Sequence, residues 1–141
     1  MASKDLFSNI RPFVALDIAT IAANATTEGN IIDTQGYEGV VVGLITGTVT
    51  AGDYAIQLMD GDDSALSDEA VVTDANLLGT EALASFTADT DDDKISKLGY
   101  IGIKRYIRVD IVSTGTSTGA VIGAWGILGN VRSAPDRTQT R

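Results

Sequence analysis

Hydrophobic and polar positions alternate along most of this chain with the two-residue period of a β-strand, and the 3.6-residue period of a helix is almost absent. The longest apolar run is Tyr37–Thr50. Its β-branched side chains fall on both faces, which predicts a strand that is covered on each side. After a turn at Ala51–Asp53, the side chains of Tyr54, Ile56 and Leu58 share one face. They predict a second, half-buried strand that forms a hairpin with the first.

Further strands and two short helices follow from the same pattern. Gly29–Thr34 is predicted to be a short strand. Ala120–Leu128 is predicted to be an apolar strand interrupted by glycines, with Trp125 as a core anchor. The best helical candidates are Ser67–Gly79 and Thr80–Phe86, and each is long enough for only a turn or two.

The segment Tyr100–Val112 alternates most clearly. Its odd positions, from Ile101 to Ile111, are apolar except for Arg105, and they predict a face turned to the core. Its even positions include Lys104, Tyr106 and Arg108, and they predict a cationic face that also carries tyrosine. Arg105 breaks the alternation, so it is expected at a bulge or reaching past the edge of the sheet.

These elements favour an all-β fold. The chain has 15 glycines and no βαβ rhythm, which indicates an antiparallel β-sandwich or barrel, with a jelly-roll-like strand order among the options. Its 141 residues suit one domain with one core. The predicted β-sandwich domain is 12–130, and the polar, basic ends, residues 1–11 and 131–141, are predicted to be extended N- and C-terminal arms.

Charge is unevenly distributed along the chain. The net charge is −9, and residues 12–93 contain 16 aspartates and glutamates but no lysine or arginine. Residues 94–141 contain eight basic residues and two acidic ones. The acidic body disfavours binding to nucleic acid, because phosphate binding depends on lysine and arginine. The basic third of the chain could instead attract an acidic protein surface.

No catalytic constellation is visible. Cysteine and histidine are absent, which removes a thiol nucleophile, the commonest general base and the usual zinc ligands. The carboxylate runs Asp60–Ser64 and Asp89–Asp93 do not have the spacing of an EF-hand and are interpreted as solvated loops. We therefore expect no enzyme activity and no cofactor or metal. No apolar run approaches the roughly 20 residues that span a bilayer, so we expect no membrane association. We expect the protein to be synthesised in the cytoplasm.

Three interpretations of the basic strand remain open. Lys104, Tyr106 and Arg108, together with Tyr100, could form an RNA-stacking platform. Tyrosine and arginine are also enriched in protein interfaces, which favours a surface that binds a protein or another subunit. In the third interpretation these cations pair with the acidic loops of the chain itself.

Several stretches occur in an order that resembles a family of small virion proteins of tailed bacteriophages. They include KDLFSNI, IIDTQGYEG, KLGYIGIKRYIRV and GAWGILGNVRSAP, and the last two weigh most. The resemblance implies a β-rich capsid decoration (cement) protein, without cofactor or catalytic residues, that binds the major capsid protein on the exterior of the capsid. It also implies a homo-oligomer, often a trimer at local threefold positions.

The arms and the basic strand are the predicted contact surfaces. The contacts expected with the capsid or with other subunits are Phe7, Arg11, Lys104, Tyr106, Arg108, Arg132, Pro135 and Arg137. The second hypothesis for the function is a neck or tail structural protein of the virion. An oligonucleotide-binding barrel and a sugar-binding module are weaker alternatives.

Overall fold

The computed structural model describes residues 5–87 and 90–132, and in this part of the chain two antiparallel sheets pack face to face. The strands are β1 (Ile10–Ile21), β2 (Thr26–Thr27), β3 (Ile32–Asp33), β4 (Tyr37–Val49), β5 (Asp53–Gly61), β6 (Ala70–Val71), β7 (Leu77–Leu78), β8 (Leu98–Tyr100), β9 (Tyr106–Thr114) and β10 (Ala120–Val131). A single helical turn, α1 (Glu81–Ala84), and two short 3₁₀ turns complete the fold. The predicted all-β antiparallel sandwich is confirmed.

The strands of the two sheets are interleaved in sequence. The first sheet has the order β1-β10-β4-β8-β7 and the second has the order β2-β9-β5-β6, with β3 also pairing with β9. The predicted β4–β5 hairpin is wrong, because β4 lies in the first sheet and β5 in the second. Gly52, with φ of +107°, turns the chain across the core, and the Tyr54 hydroxyl donates to the Ala51 carbonyl oxygen at 2.8 Å beneath this turn.

The core lies between the sheets and is built from the longest strands. Val42 and Leu44 of β4 face Leu58 of β5 and Ile107 and Ile111 of β9, and all five are almost completely buried. Burial of each such aliphatic side chain contributes about 1.5–3 kcal/mol. The two long central strand pairs, β4–β10 and β5–β9, therefore carry most of the hydrophobic stabilisation.

The segment Tyr100–Val112 is not one strand. The chain leaves the first sheet at Tyr100, crosses over through residues 101–105 and enters the second sheet at Tyr106. The crossover wraps around the buried Tyr100 hydroxyl, which accepts a hydrogen bond from the Lys104 amide at 3.2 Å. Gly102 is required here, because a Cβ at this position would lie 2.4 Å from the same hydroxyl. The predicted core positions Ile101 and Ile103 are consequently exposed.

Strand β1 begins within the segment assigned to the N-terminal arm. Ile10 and Arg11, assigned to the N-terminal arm, pair with Gly129 and Leu128 as the start of the 12-residue strand β1. Two register shifts between β1 and β10 interrupt the alternation that would have revealed this strand. The C-terminal residues 133–141 lie outside the described residues.

One of the two predicted helices is confirmed. Thr80–Phe86 contains α1, and the Thr80 hydroxyl caps it by accepting a hydrogen bond from the Leu83 amide at 3.2 Å. The helix predicted at Ser67–Gly79 is wrong, since this segment forms β6, a 3₁₀ turn and β7. Its apolar residues pack instead along the edges of the two sheets.

Candidate protein-interaction surfaces

One end of the sandwich brings together segments that are far apart in sequence. Here β1 begins, β10 ends and the crossover between β8 and β9 passes from one sheet to the other. We call this region the basic end and define it as residues 6–11, 31–33, 101–106 and 130–132. Four of the seven lysines and arginines in the described part of the chain lie here.

Three of the four cations of the basic end line a cleft of about 320 Å³. Lys104 forms an ion pair with Asp62. Arg105 donates two hydrogen bonds to the Asp33 carboxylate, at 2.9 and 2.7 Å. Arg132 lies 3.7 Å from Glu38. Each cation that lines the cleft therefore has an acidic neighbour, which weakens its attraction for phosphate groups at long range.

The hydrogen bonds at the cleft shift the pKa of two groups. The Arg105 guanidinium, as hydrogen-bond donor, holds the pKa of Asp33 below its usual value. Burial, followed by the hydrogen bond to Asp60, raises the pKa of the Tyr100 hydroxyl far above its usual value. Tyr100 donates to the buried Asp60 carboxylate at 2.8 Å, and this bond joins β8 of the first sheet to β5 of the second.

Exposed apolar side chains lie beside these charges. Ile103 is 97% exposed, and Leu6, Phe7 and Ile101 are each more than half exposed. Protein-binding surfaces commonly combine exposed apolar side chains with arginine and tyrosine, and the basic end has this composition. Arg105 also stacks over Tyr106, with its guanidinium carbon 5.0 Å from the ring centroid.

The basic end brings together most of the predicted contact residues. Phe7, Arg11, Lys104, Tyr106 and Arg132 all lie in it. Pro135 and Arg137 lie outside the described residues. The sequence did not reveal that the five residues of the basic end lie close together, because their proximity depends on the pairing of β1 with β10 and on the position of the crossover.

Arg108 is a different case, and its assignment to an exposed cationic face is wrong. The residue is 7% exposed and lies on the outer side of β9, beneath Glu28 and Glu69. It donates to both oxygens of Asp110, at 2.7 and 2.8 Å, and forms an ion pair with Glu69 at 2.8 Å. The hydrogen bonds to Asp110 raise its pKa further above its usual value.

Of the three interpretations of the basic strand, the described contacts bear out the pairing of Lys104, Arg105 and Arg108 with acids of the same chain. The predicted RNA-stacking platform is wrong. Tyr100 is buried in the first sheet, while Arg108 is buried on the second. These side chains do not share an open face.

A second surface was missed by the sequence analysis. Trp125, predicted to be a core anchor, lies on the outer side of the first sheet, where its Nε1 donates to the Ser96 carbonyl oxygen at 3.2 Å. Apolar residues of five chain segments surround it. We call this surface the outer face; it comprises Val14, Ile18, Val41, Ile45, Leu78, Ile95, Val121, Trp125 and Ile127. The signal in the sequence was that β4 and β10 are apolar on both sides.

The acidic loops are held by bonds to the protein itself. The Asp68 carboxylate accepts from the amides of Asp62 and Asp63, and these hydrogen bonds lower its pKa. Asp92 accepts from the Val49 amide at 2.6 Å. Within residues 5–87 and 90–132, no group of three acidic side chains is arranged to hold a metal ion.

No helix in the described part of the chain has the length and apolar character needed to cross a bilayer. Comparison of the chain with known protein families, with curated proteins and with solved structures finds no match. The resemblance to bacteriophage decoration proteins therefore stays a prediction that rests on the sequence stretches quoted above.

Proposed function

We propose that this protein is a non-enzymatic capsid decoration protein of a tailed bacteriophage, which binds the major capsid protein from outside through its basic end. The ordered sequence stretches that resemble that family support this assignment. The homotrimer expected from the resemblance is part of the same proposal.

The strand order gives independent support. The chain crosses repeatedly between the sheets, from β1 to β2, from β3 to β4 and from β4 to β5, and its first and last strands, β1 and β10, pair. We infer that the sandwich is a jelly roll, since β1-β10-β4-β8 packed on β2-β9-β5-β6 has the interleaving of two Greek keys. Jelly rolls are frequent in viral capsid and lectin domains.

The observation that carries the proposal is the exposed apolar knob at the basic end. Ile103 projects from a short crossover that the Tyr100 and Lys104 contacts hold in place, so little conformational entropy is lost when a partner covers it. Arginine side chains with fixed acidic partners surround it. A central apolar anchor within a polar rim is the usual composition of a specific protein interface.

The test measures copies of the protein per particle when capsids are assembled with the wild type or with a variant. We expect hundreds of copies for the wild type, and a fall of about tenfold or more for Ile103→Asp, because a charge then occupies the anchor position. The matched control is Leu83→Asp, which changes a side chain that is 86% exposed on α1. This variant should decorate particles normally.

Other outcomes point to the alternatives. A few copies at one vertex would indicate a neck or tail protein and would overturn the decoration assignment. Binding to single-stranded oligonucleotides with a steep salt dependence would indicate a nucleic-acid-binding module. A sugar-binding module is disfavoured, because Phe7 is the one aromatic side chain of the described residues that is classed as exposed.

A further inference from the structure

Strand β5 lies beside the end of the second sheet, and its outer neighbour β6 covers only part of its length. β6 has two residues and pairs with Met59 and Asp60. The amides of Tyr54, Ile56 and Leu58 point away from β9, because alternate residues of β5 bond to that strand. From Tyr54 to Leu58 the strand therefore has an outer edge of about 14 Å on which another strand could pair.

The sequence of this edge favours pairing between strands. Tyr54–Met59 reads YAIQLM and contains no charge, proline or glycine. Segments of six residues with these properties pair with copies of themselves when they are exposed at the edge of a sheet. Asp53 precedes the run at the surface, whereas Asp60, which follows it, is buried and bonded to Tyr100.

Residues 80–86, which include α1, cover this edge, and we call them the strap. Phe86 and Tyr54 exchange two backbone hydrogen bonds, at 2.7 and 3.0 Å. Ala84 and Phe86 are both buried and belong to the hydrophobic core. The strap is therefore anchored at its C-terminal end by backbone pairing and by apolar contacts.

The middle of the edge is closed by side chains. The Ser85 hydroxyl oxygen accepts a hydrogen bond from the Ile56 amide at 3.0 Å, and the Glu81 carboxylate accepts one from the Leu58 amide at 2.9 Å. The Ser85 hydroxyl also donates to the Glu81 carbonyl oxygen at 2.7 Å, which holds it over the strand. A carboxylate accepts hydrogen bonds but donates none, so it occupies the edge without offering the alternating donors and acceptors that a further strand needs.

We infer that the strap is an autoinhibitory contact, in which Glu81 and Ser85 prevent β5 from pairing with β5 of a second copy of this chain. The other long edge strand, β1, has separate protection. Pro12 lacks an amide hydrogen, and the Ala15 carbonyl oxygen already accepts from the Asn30 amide at 2.7 Å. This role of the strap goes beyond the capsid assignment and does not depend on it.

The experiment compares the wild type with Glu81→Ala/Ser85→Ala, which removes both side-chain acceptors. Hydrogen exchange followed by NMR is measured at low salt, where the net charge of −9 keeps copies apart. Exchange at Ile56 and Leu58 should be at least about tenfold faster in the double variant, as expected for the loss of one net hydrogen bond at each amide.

Association is then measured at about 1 M sodium chloride, where the Debye length of about 3 Å screens the repulsion between copies. Thioflavin T fluorescence should rise with time for the double variant and stay at its starting value for the wild type. Circular dichroism checks that each variant is folded.

Two controls separate the hydrogen bonds from the charge. Glu81→Gln keeps a side-chain oxygen that accepts from the Leu58 amide, so it should behave as the wild type. Thr73→Ala/Asp74→Ala removes a hydroxyl and a carboxylate from the 3₁₀ turn at Asp74–Asn76, where the Thr73 side chain makes no capping hydrogen bond. This turn control changes the net charge by the same amount as the strap variant and should not associate.

The inference is overturned by a folded strap variant that associates no faster than the wild type, or by a turn control that associates as fast as the strap variant. Association of Glu81→Gln at the rate of the strap variant would overturn the role of the hydrogen bond to Leu58. If the double variant fails to fold, Ser85→Ala replaces it. This single variant must then exchange faster at Ile56 and associate faster than the wild type, and failure to do so overturns the inference.

Discussion

Replacement of Arg108 by leucine tests whether this residue is an internal ion-pair partner or an exposed contact. Its guanidinium holds the carboxylate of Asp110, which is 2% exposed. From the other described residues this carboxylate receives one hydrogen bond, from the Gly29 amide at 3.3 Å. Without Arg108, the charge of Asp110 stays buried, and Glu28 and Glu69 lie close to it without a cation between them. The cost is therefore the desolvation of an unpaired carboxylate rather than the loss of one contact.

The expected magnitude is large for a single substitution. Removal of one partner from a buried ion pair costs about 3–5 kcal/mol, and we expect Arg108→Leu to lower the free energy of unfolding by this amount. Arg105→Ala breaks an exposed pair with Asp33 and should cost less than about 1 kcal/mol. The double variant Arg108→Leu/Asp110→Leu should be more stable than Arg108→Leu alone, because both buried charges are then removed.

Urea unfolding followed by circular dichroism measures these differences. With a slope of about 1–3 kcal/mol per molar, the midpoint of Arg108→Leu should fall by roughly 2 M, while that of Arg105→Ala should fall by a few tenths. A double variant no more stable than Arg108→Leu, or a cost below about 1 kcal/mol for Arg108→Leu, would refute the reasoning.

Three further predictions concern a close backbone approach, an inter-sheet bond and a pH dependence. Gly43→Ala should destabilise the protein by about 1–3 kcal/mol, because the new methyl group would lie 1.9 Å from a backbone carbonyl oxygen. The control is Gly39→Ala on the same strand, where no atom lies closer than 3.5 Å to the added methyl group. Thermal melting should show a lower melting temperature for Gly43→Ala than for Gly39→Ala. Tyr100→Phe should cost about 1.5–3 kcal/mol in urea unfolding by leaving the Asp60 carboxylate short of a donor, and an unchanged midpoint would contradict this. The pKa of Asp33 is lower in the folded protein than in the unfolded chain. The stability that Asp33 adds is therefore present above about pH 4 and is lost as the pH falls through the folded pKa. The difference in melting temperature between the wild type and Asp33→Asn should shrink from about pH 5 to about pH 3.

The chain pattern predicted the long strands well where the environment alternates regularly. β4 runs from Tyr37 to Val49, one residue shorter than expected, and β5 contains the predicted buried face of Tyr54, Ile56 and Leu58. Strand β1 was not predicted, because its register shifts place apolar residues out of step with a two-residue period.

The candidate surfaces were predicted less completely. Phe7, Arg11 and Arg132 were chosen as members of two separate arms, and the pairing of β1 with β10 brings them to the same end as Lys104. The prediction for Arg108 rests on its even position in the alternating segment Tyr100–Val112, on the face that also carries Lys104 and Tyr106. The acids that cover Arg108 come from segments about 40 and 80 residues away, and no local pattern reports them.

By itself, the sequence determined where the strands β4, β5 and β10 lie, how acidic the molecule is and that the central strands are apolar on both sides, since side-chain alternation and composition are properties of neighbouring residues. Only the tertiary structure decided which sheet each strand joins, and with that the burial of Arg108 and the half-buried position of Trp125 on the outer side of the first sheet. The reason is physical: a two-residue period says that the two faces of a strand differ, but what covers each face depends on segments distant in the chain.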